Sequence, residues 1–302
     1  MEEQRTYELP PISAVSPSLA ETLRNCPLQA GISRIQAIRI YVLGNPKAWL
    51  GKAYHAVLER LWAPGKVDSE SRFDELWGNA IAALQAQAIA HPMNKRFADP
   101  VRWPGYHLVR AFALLRAQEA LSSQTPTPIS TGYTGRVIRE KDLFAMDGKL
   151  VGKPDVIIGN EIRDYKSGRI YEEDSDGNQS VKEAYIRQLR LYGRLVEEHF
   201  GVCPTKGVLL PMQGAAVEIS LNHQACASES EEAIRLLDGY NSQLQTTGAV
   251  SDLAAPSPTA CRWCQYKVLC PAFWENVNEG WTEGLGGGCV QGTLECAPQP
   301  IH

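Results

Sequence analysis

The chain has 302 residues, 44% of them hydrophobic and 21% charged, with a formal net charge of −4. That composition suits one large globular domain or two modest ones, and the acidic balance excludes a globally basic nucleic-acid binder, so any such contact must come from a local groove. The start, MEEQRTYELPPIS, has no cationic stretch leading into an apolar run, and no segment has the length to cross a bilayer. Both point to a cytoplasmic protein, whose eight cysteines are then thiols or metal ligands rather than disulfides.

Ser16 followed by Pro17 predicts a helix start, because serine caps free N–H groups and proline tolerates the first helical position. Cys26-Pro27 falls near the end of this helix. A second helix is expected over 46–62, with an apolar stripe of Leu50, Ala53, Val57, Leu58 and Leu61. Two more follow at 73–90 and 105–121, separated by a proline-rich loop.

The middle of the chain changes period. Segments 133–146, 149–158 and 162–166 read as strands, with Asp147-Gly148 and Gly159-Asn160 as their turns. The polar stretch EEDSDGNQS reads as a loop; its glycine is out of place for a calcium loop. A helix over 181–200, strands at 207–210 and 216–221, and a helix over 224–244 complete the pattern. A Pro/Ser/Ala linker then reaches CRWCQYKVLC at 261–270, and 276–302 reads as a flexible tail. The expected fold is α/β: a mixed central sheet flanked by helices, forming one domain over 1–275. A helical insertion at about 62–128 and a C-terminal cysteine module complete it.

The segment GKPDVIIGNEIRDYKSG carries the densest chemistry. Strand side chains alternate faces, so Asp164 and Lys166 point one way and Tyr165 the other. A short turn would set Asp155 beside Asp164. Two carboxylates suit Mg²⁺ or Mn²⁺, which activates water for attack on a phosphodiester, with Lys166 offsetting the developing charge. The Tyr165 carbonyl is a further candidate oxygen ligand. An isolated D-x-K is more often a surface ion pair, so neighbouring signals matter. His55 and Glu59 share one helical face, and His55 is a candidate metal ligand. Gln188 and Tyr192 share another, as candidates for binding phosphate or a base. Arg187, Arg190 and Arg194 form an adjacent cationic stripe.

The ordered set G-x-x-x-H (Gly51 to His55), G-x-P-D (Gly152 to Asp155), D-Y-K-S-G (Asp164 to Gly168) and Q-L-R-L-Y (Gln188 to Tyr192) resembles the PD-(D/E)XK nuclease superfamily in its RecB-like branch. The resemblance spans about residues 13–275. It implies a restriction-endonuclease-like core, a metal site of His55, Asp155 and Asp164, a catalytic Lys166, and DNA binding by Gln188 and Tyr192. The implied activity is hydrolysis of DNA, single-stranded ends above all, in repair, CRISPR adaptation or phage defence. A catalytically silent DNA-binding subunit is the alternative. With no nucleotide-binding P-loop in the chain, any helicase must be a separate partner.

Cys261, Cys264 and Cys270 are spaced C-x2-C-x5-C, one thiolate short of a tetrahedral site. The resemblance implies that Cys26 is the fourth and that the four hold a [4Fe–4S] cluster clasping the chain ends. Zinc, and with it a zinc-stabilised nucleic-acid-binding protein, is the competing assignment. Cys203 and Cys226 read as ordinary core residues.

Overall fold

The computed structural model describes residues 8–60, 70–122, 137–173, 176–246 and 250–284. Helix α1 (Pro17–Asn25) begins where its cap predicts, with Ser16 Oγ accepting the Leu19 N–H at 3.3 Å. Helices α2 (Pro27–Ile32), α3 (Gln36–Arg39), α4 (Pro46–Arg60), α5 (Glu70–Ala90) and α6 (Tyr106–Ser122) follow. In α4, Leu50, Ala53, Val57 and Leu58 are buried as expected of the stripe. Leu61 lies outside the described residues.

Strands β1 (Val137–Arg139), β2 (Leu143–Ala145), β3 (Leu150–Gly152), β4 (Val156–Ile158) and β5 (Glu161–Lys166) come next. The two long strands expected at 133–146 and 149–158 are each divided. Glu140 interrupts the first with φ 44°, in the left-handed region that a non-glycine residue seldom occupies. Pro154 interrupts the second, since it has no N–H for a ladder. Consequently β2 and β3 form a separate antiparallel ribbon across the expected turn, whose Gly148 has φ 82°. The polar loop is replaced by a hairpin of β6 (Tyr171–Glu173) and β7 (Gln179–Val181). Its strands are mostly exposed, so they carry none of the apolar alternation by which a strand is recognised.

Helix α7 (Glu183–Phe200), strands β8 (Lys206–Pro211) and β9 (Val217–Ser220), and helices α8 (His223–Thr246), α9 (Pro258–Arg262) and α10 (Pro271–Asn276) complete the elements. The main sheet has the order β1-β4-β5-β8-β9, with β5 and β8 parallel and the other pairs antiparallel. The mixed central sheet is therefore as expected.

Alternation along the strands feeds two cores. Ile157, Ile162 and Leu209 face a cluster shared with α1, α7 and α8, while Val156 and Tyr165 face one shared with α4, α5 and α6. The helices at 70–122, read as an insertion, thus help cover one face of the sheet. Residues beyond 276 stay on the fold for a few positions, because the Trp281 ring packs 6.3 Å from that of Phe273. Residues 285–302, including Cys289 and Cys296, lie outside the described residues. Among the described residues no helix is long and apolar enough to cross a membrane.

Candidate active site

Strand register sets the centre of the site. Val156 pairs with Arg163 across the β4–β5 hairpin, so one step further Asp155 stands opposite Asp164. Asp155 Oδ2 accepts the backbone N–H of Tyr165 at 2.7 Å. Both carboxylates are buried, at 8% and 3% exposure. Lys166 shares the face of Asp164, and its ammonium lies 2.6 Å from Asp164 Oδ2. The intervening Tyr165 points to the other layer, where its ring meets those of Tyr54 and His55.

Helix α7 closes the site from one side. Lys166 Nζ donates to Gln188 Oε1 at 2.5 Å, while the Gln188 amide nitrogen faces Asp164 Oδ1 at 3.3 Å and the Tyr192 hydroxyl at 3.1 Å. The Lys166 ammonium also sits 4.2 Å from the centre of the Tyr185 ring, a cation–π contact absent from the sequence reading. From α4, His55 Nδ1 reaches to 3.5 Å from Asp155 Oδ2.

This much carboxylate in so little water shifts the titrations. Burial pushes Asp164 up to about 6, with Asp155 adding to the rise and Lys166 opposing it. Burial disfavours a protonated His55, but its hydrogen bond to Asp155 and the charges of Asp155, Asp164 and Glu59 prevail and raise its pKa. Glu59 is pushed up to about 7 by burial, by a hydrogen bond to Glu140 and by the charge of Asp155. Glu140 in turn holds Lys153 at 2.5 Å.

Glu59 was legible as a helical neighbour of His55. Glu140 was not, because only the break between β1 and β2 turns it toward α4.

The donor set, two carboxylates and an imidazole, suits Mg²⁺ or Mn²⁺. The buried negative charge around Asp155 and Asp164 is of the kind a cation neutralises. As the side chains stand, no three His, Cys, Asp or Glu residues among the described residues form a group that could hold a metal ion. Asp155 is engaged by the Tyr165 N–H and Asp164 by Lys166. Ion binding therefore requires both carboxylates to give up part of these contacts.

Two motif glycines have packing reasons. A Cβ on Gly51 would lie 2.6 Å from Ser167 Oγ, beside Lys166. One on Gly152 would lie 2.6 Å from Leu195 Cδ1 and 3.2 Å from Tyr192 Cε1.

The arginines of the stripe are paired with carboxylates of the fold. Arg187 forms a forked pair with Glu21 of α1, at 3.0 and 3.1 Å. Arg190 lies 3.5 Å from Glu183, and Arg194 lies 3.1 Å from Glu198 and 3.6 Å from Glu197. Each arginine of the expected cationic stripe thus has a carboxylate partner within the fold, and Arg187 joins two helices.

The four cysteines are brought to one place. Cys26, between α1 and α2, lines a small, almost wholly apolar cavity together with Cys261, Cys264 and Cys270. None of the four is in a disulfide. Burial raises the thiol pKa of Cys261, Cys264 and Cys270, that of Cys264 to about 11, and proximity to Cys26 adds to each. Four sulfurs around one cavity fit the chemistry of a Cys₄ centre, although they too form no ready ligand group as they stand. Cys203 and Cys226 lie elsewhere, in mutual contact beside α7, with Cys226 fully buried.

No curated protein matches the chain. Among solved structures, one from Eubacterium rectale, named provisionally as an exonuclease, is 10% identical with a TM-score of 0.43, covering 76% of this chain and 82% of its own. The sequence profile of the PD-(D/E)XK nuclease superfamily matches residues 14–271, which include the site of Asp155, Asp164 and Lys166. The chain belongs to the PD-(D/E)XK nuclease superfamily.

Proposed function

We propose that the protein is a metal-dependent deoxyribonuclease of the RecB-like branch, hydrolysing phosphodiester bonds at the ends of single-stranded DNA. The observation that supports this most is the convergence of Asp155, Asp164, Lys166 and His55, from two strands and a helix, with Gln188 bridging two of them. Asp155, Asp164, His55 and the Tyr165 carbonyl would hold Mg²⁺ or Mn²⁺, which would supply Lewis-acid activation of water and of a phosphate oxygen. Lys166, paired with Asp164, offsets negative charge gathering on the phosphorane oxygens. Gln188 fixes the spacing of Lys166 and Asp164, and Tyr192 anchors Gln188 from the next turn of α7. His55 packs edge-on to Tyr165 and so supports the strand that carries both catalytic side chains.

The same proposal assigns Cys26, Cys261, Cys264 and Cys270 to a [4Fe–4S] cluster with a structural role. It would clasp the segment after α1 to the C-terminal module.

End-labelled single- and double-stranded DNA, incubated with and without Mg²⁺ or Mn²⁺, tests the activity. Wild type is expected to cleave only with metal, and Lys166→Ala to be nearly inactive. Equal activity in both, or none in either, overturns the catalytic assignment. Iron and sulfide content of anaerobically purified protein tests the cluster, and an iron-free, zinc-replete sample overturns it.

A further inference from the structure

Next to the side chains that flank Asp164 lies an open groove of about 460 Å³. Its volume is within the roughly 300–1,000 Å³ range of small-ligand sites. Gln188 and Tyr192 line it, and these are the side chains that bound the site around Asp164. The β2–β3 ribbon and the start of α1 provide the rest of the lining. In β2, Leu143 and Ala145 are buried against the fold, whereas Phe144 points outward and is 59% exposed. Val151 stands across from Phe144 in the ribbon, and Lys153 follows one strand-step later, two residues before Asp155.

A lone exposed aromatic is ordinary. A flat ring in a groove whose wall includes Gln188, itself a hydrogen-bond partner of the buried Asp164, is a more specific arrangement. A nucleobase in a duplex has both faces stacked on its neighbours, while a base in a single strand offers a free face to an aromatic side chain. The Ser18 hydroxyl and the Lys153 ammonium, also in the lining, can donate to a sugar–phosphate backbone. Asp142, the carboxylate in the lining, opposes anions. Stacking rather than charge is therefore the term this surface is built to supply.

We infer that the groove is a subsite for single-stranded DNA, holding a nucleotide adjacent to the scissile phosphate with its base stacked on Phe144. The inference rests on the nuclease reading above and deepens it. It makes Phe144 a substrate-binding residue that determines strand preference, outside the motifs of the site.

Binding of labelled oligo-dT, about twelve nucleotides long to exceed a typical single-strand site, and of a matched duplex separates the possibilities. The full chain would be used with Ca²⁺ in place of Mg²⁺. Phe144→Ala is expected to weaken oligo-dT binding by about 10-fold, as loss of one stacked base does, and to leave duplex binding unchanged. Phe144→Trp is expected to retain the wild-type affinity, which also shows that position 144 tolerates substitution. Equal binding of oligo-dT by wild type and Phe144→Ala overturns the subsite, and so does an equal loss on both DNAs. If wild type cleaves DNA but is indifferent to Phe144, the subsite alone falls. If it neither binds nor cleaves either DNA, the nuclease reading falls with it.

Discussion

The carboxylate of Asp155 accepts the backbone N–H of Tyr165 at 2.7 Å, so the residue that precedes β4 is tied to the residue between the two functional side chains of β5. One oxygen thus supports the hairpin, and the same carboxylate is a candidate cation ligand. The two roles separate by substitution. Asp155→Asn keeps an acceptor for the Tyr165 N–H, whereas Asp155→Ala leaves that buried donor unpaired, a loss of about 1–3 kcal/mol. Both variants are expected to lose cleavage, and only Asp155→Ala to lose that stability in denaturant melts.

Gln188 holds Lys166 and Asp164 at once. Lys166→Ala is expected to lower the cleavage rate by about 100- to 1,000-fold, the loss typical of a group that stabilises transition-state charge. Gln188→Ala should cost about 10-fold, mostly in kcat, because the groups it spaces remain present. Gln188→Glu adds a carboxylate beside Asp164, and the acidic limb of its pH–rate profile should move to higher pH. An unmoved profile would remove Gln188 from the positioning role.

The raised carboxyls make stability pH-dependent. Asp164 rises from 3.8 to about 6 and Glu59 from 4.5 to about 7. Between those limits the folded state binds more protons than the unfolded one, so metal-free protein loses stability as pH rises through the window. Glu59→Gln removes one of the two contributions. Its melting temperature should exceed that of wild type near pH 8, with the gap closing toward pH 4, where Glu59 is protonated in both states. Parallel curves would contradict the shift. Added Mg²⁺ should raise the wild-type melting temperature most at the alkaline end, where it meets no competing proton.

Arg187 separates a structural role from a phosphate contact. Its forked pair with Glu21 bridges α1 and α7 and is only partly exposed. Arg187→Ala should lower stability by about 1 kcal/mol and leave the salt dependence of DNA binding nearly unchanged. A large drop in that salt dependence would restore the arginine to a phosphate contact.

Gly152→Ala probes the packing of α7 on the ribbon. The new methyl would meet Leu195 at 2.6 Å and Tyr192 at 3.2 Å. Overpacking of this kind costs about 1–3 kcal/mol, and displacement of Tyr192 should carry to Gln188 and lower the cleavage rate as well. Thermal melts and cleavage kinetics measured on the same preparation would show whether the two losses occur together.

The sequence by itself determined what short-range rules control. Ser16 and Pro17 start α1, Asp147-Gly148 and Gly159-Asn160 turn two hairpins, and a period of two puts Asp164 and Lys166 on one face with Asp155 opposite. These depend on backbone sterics and neighbouring residues. Only the tertiary structure decided the rest, because it depends on which distant surfaces pack together. Arg187 meets Glu21 across 166 positions and so becomes a strut. Gln188 reaches Lys166 across 22 positions and so becomes a spacer. Glu140 turns toward Glu59 only because the backbone breaks after β1. Cys26 lies with the cysteines of 261–270 because the start of α2 and the segment 254–273 line one cavity. Local sterics wrote the β4–β5 strand pair, and long-range burial of the helices around it selected the partners of each charge.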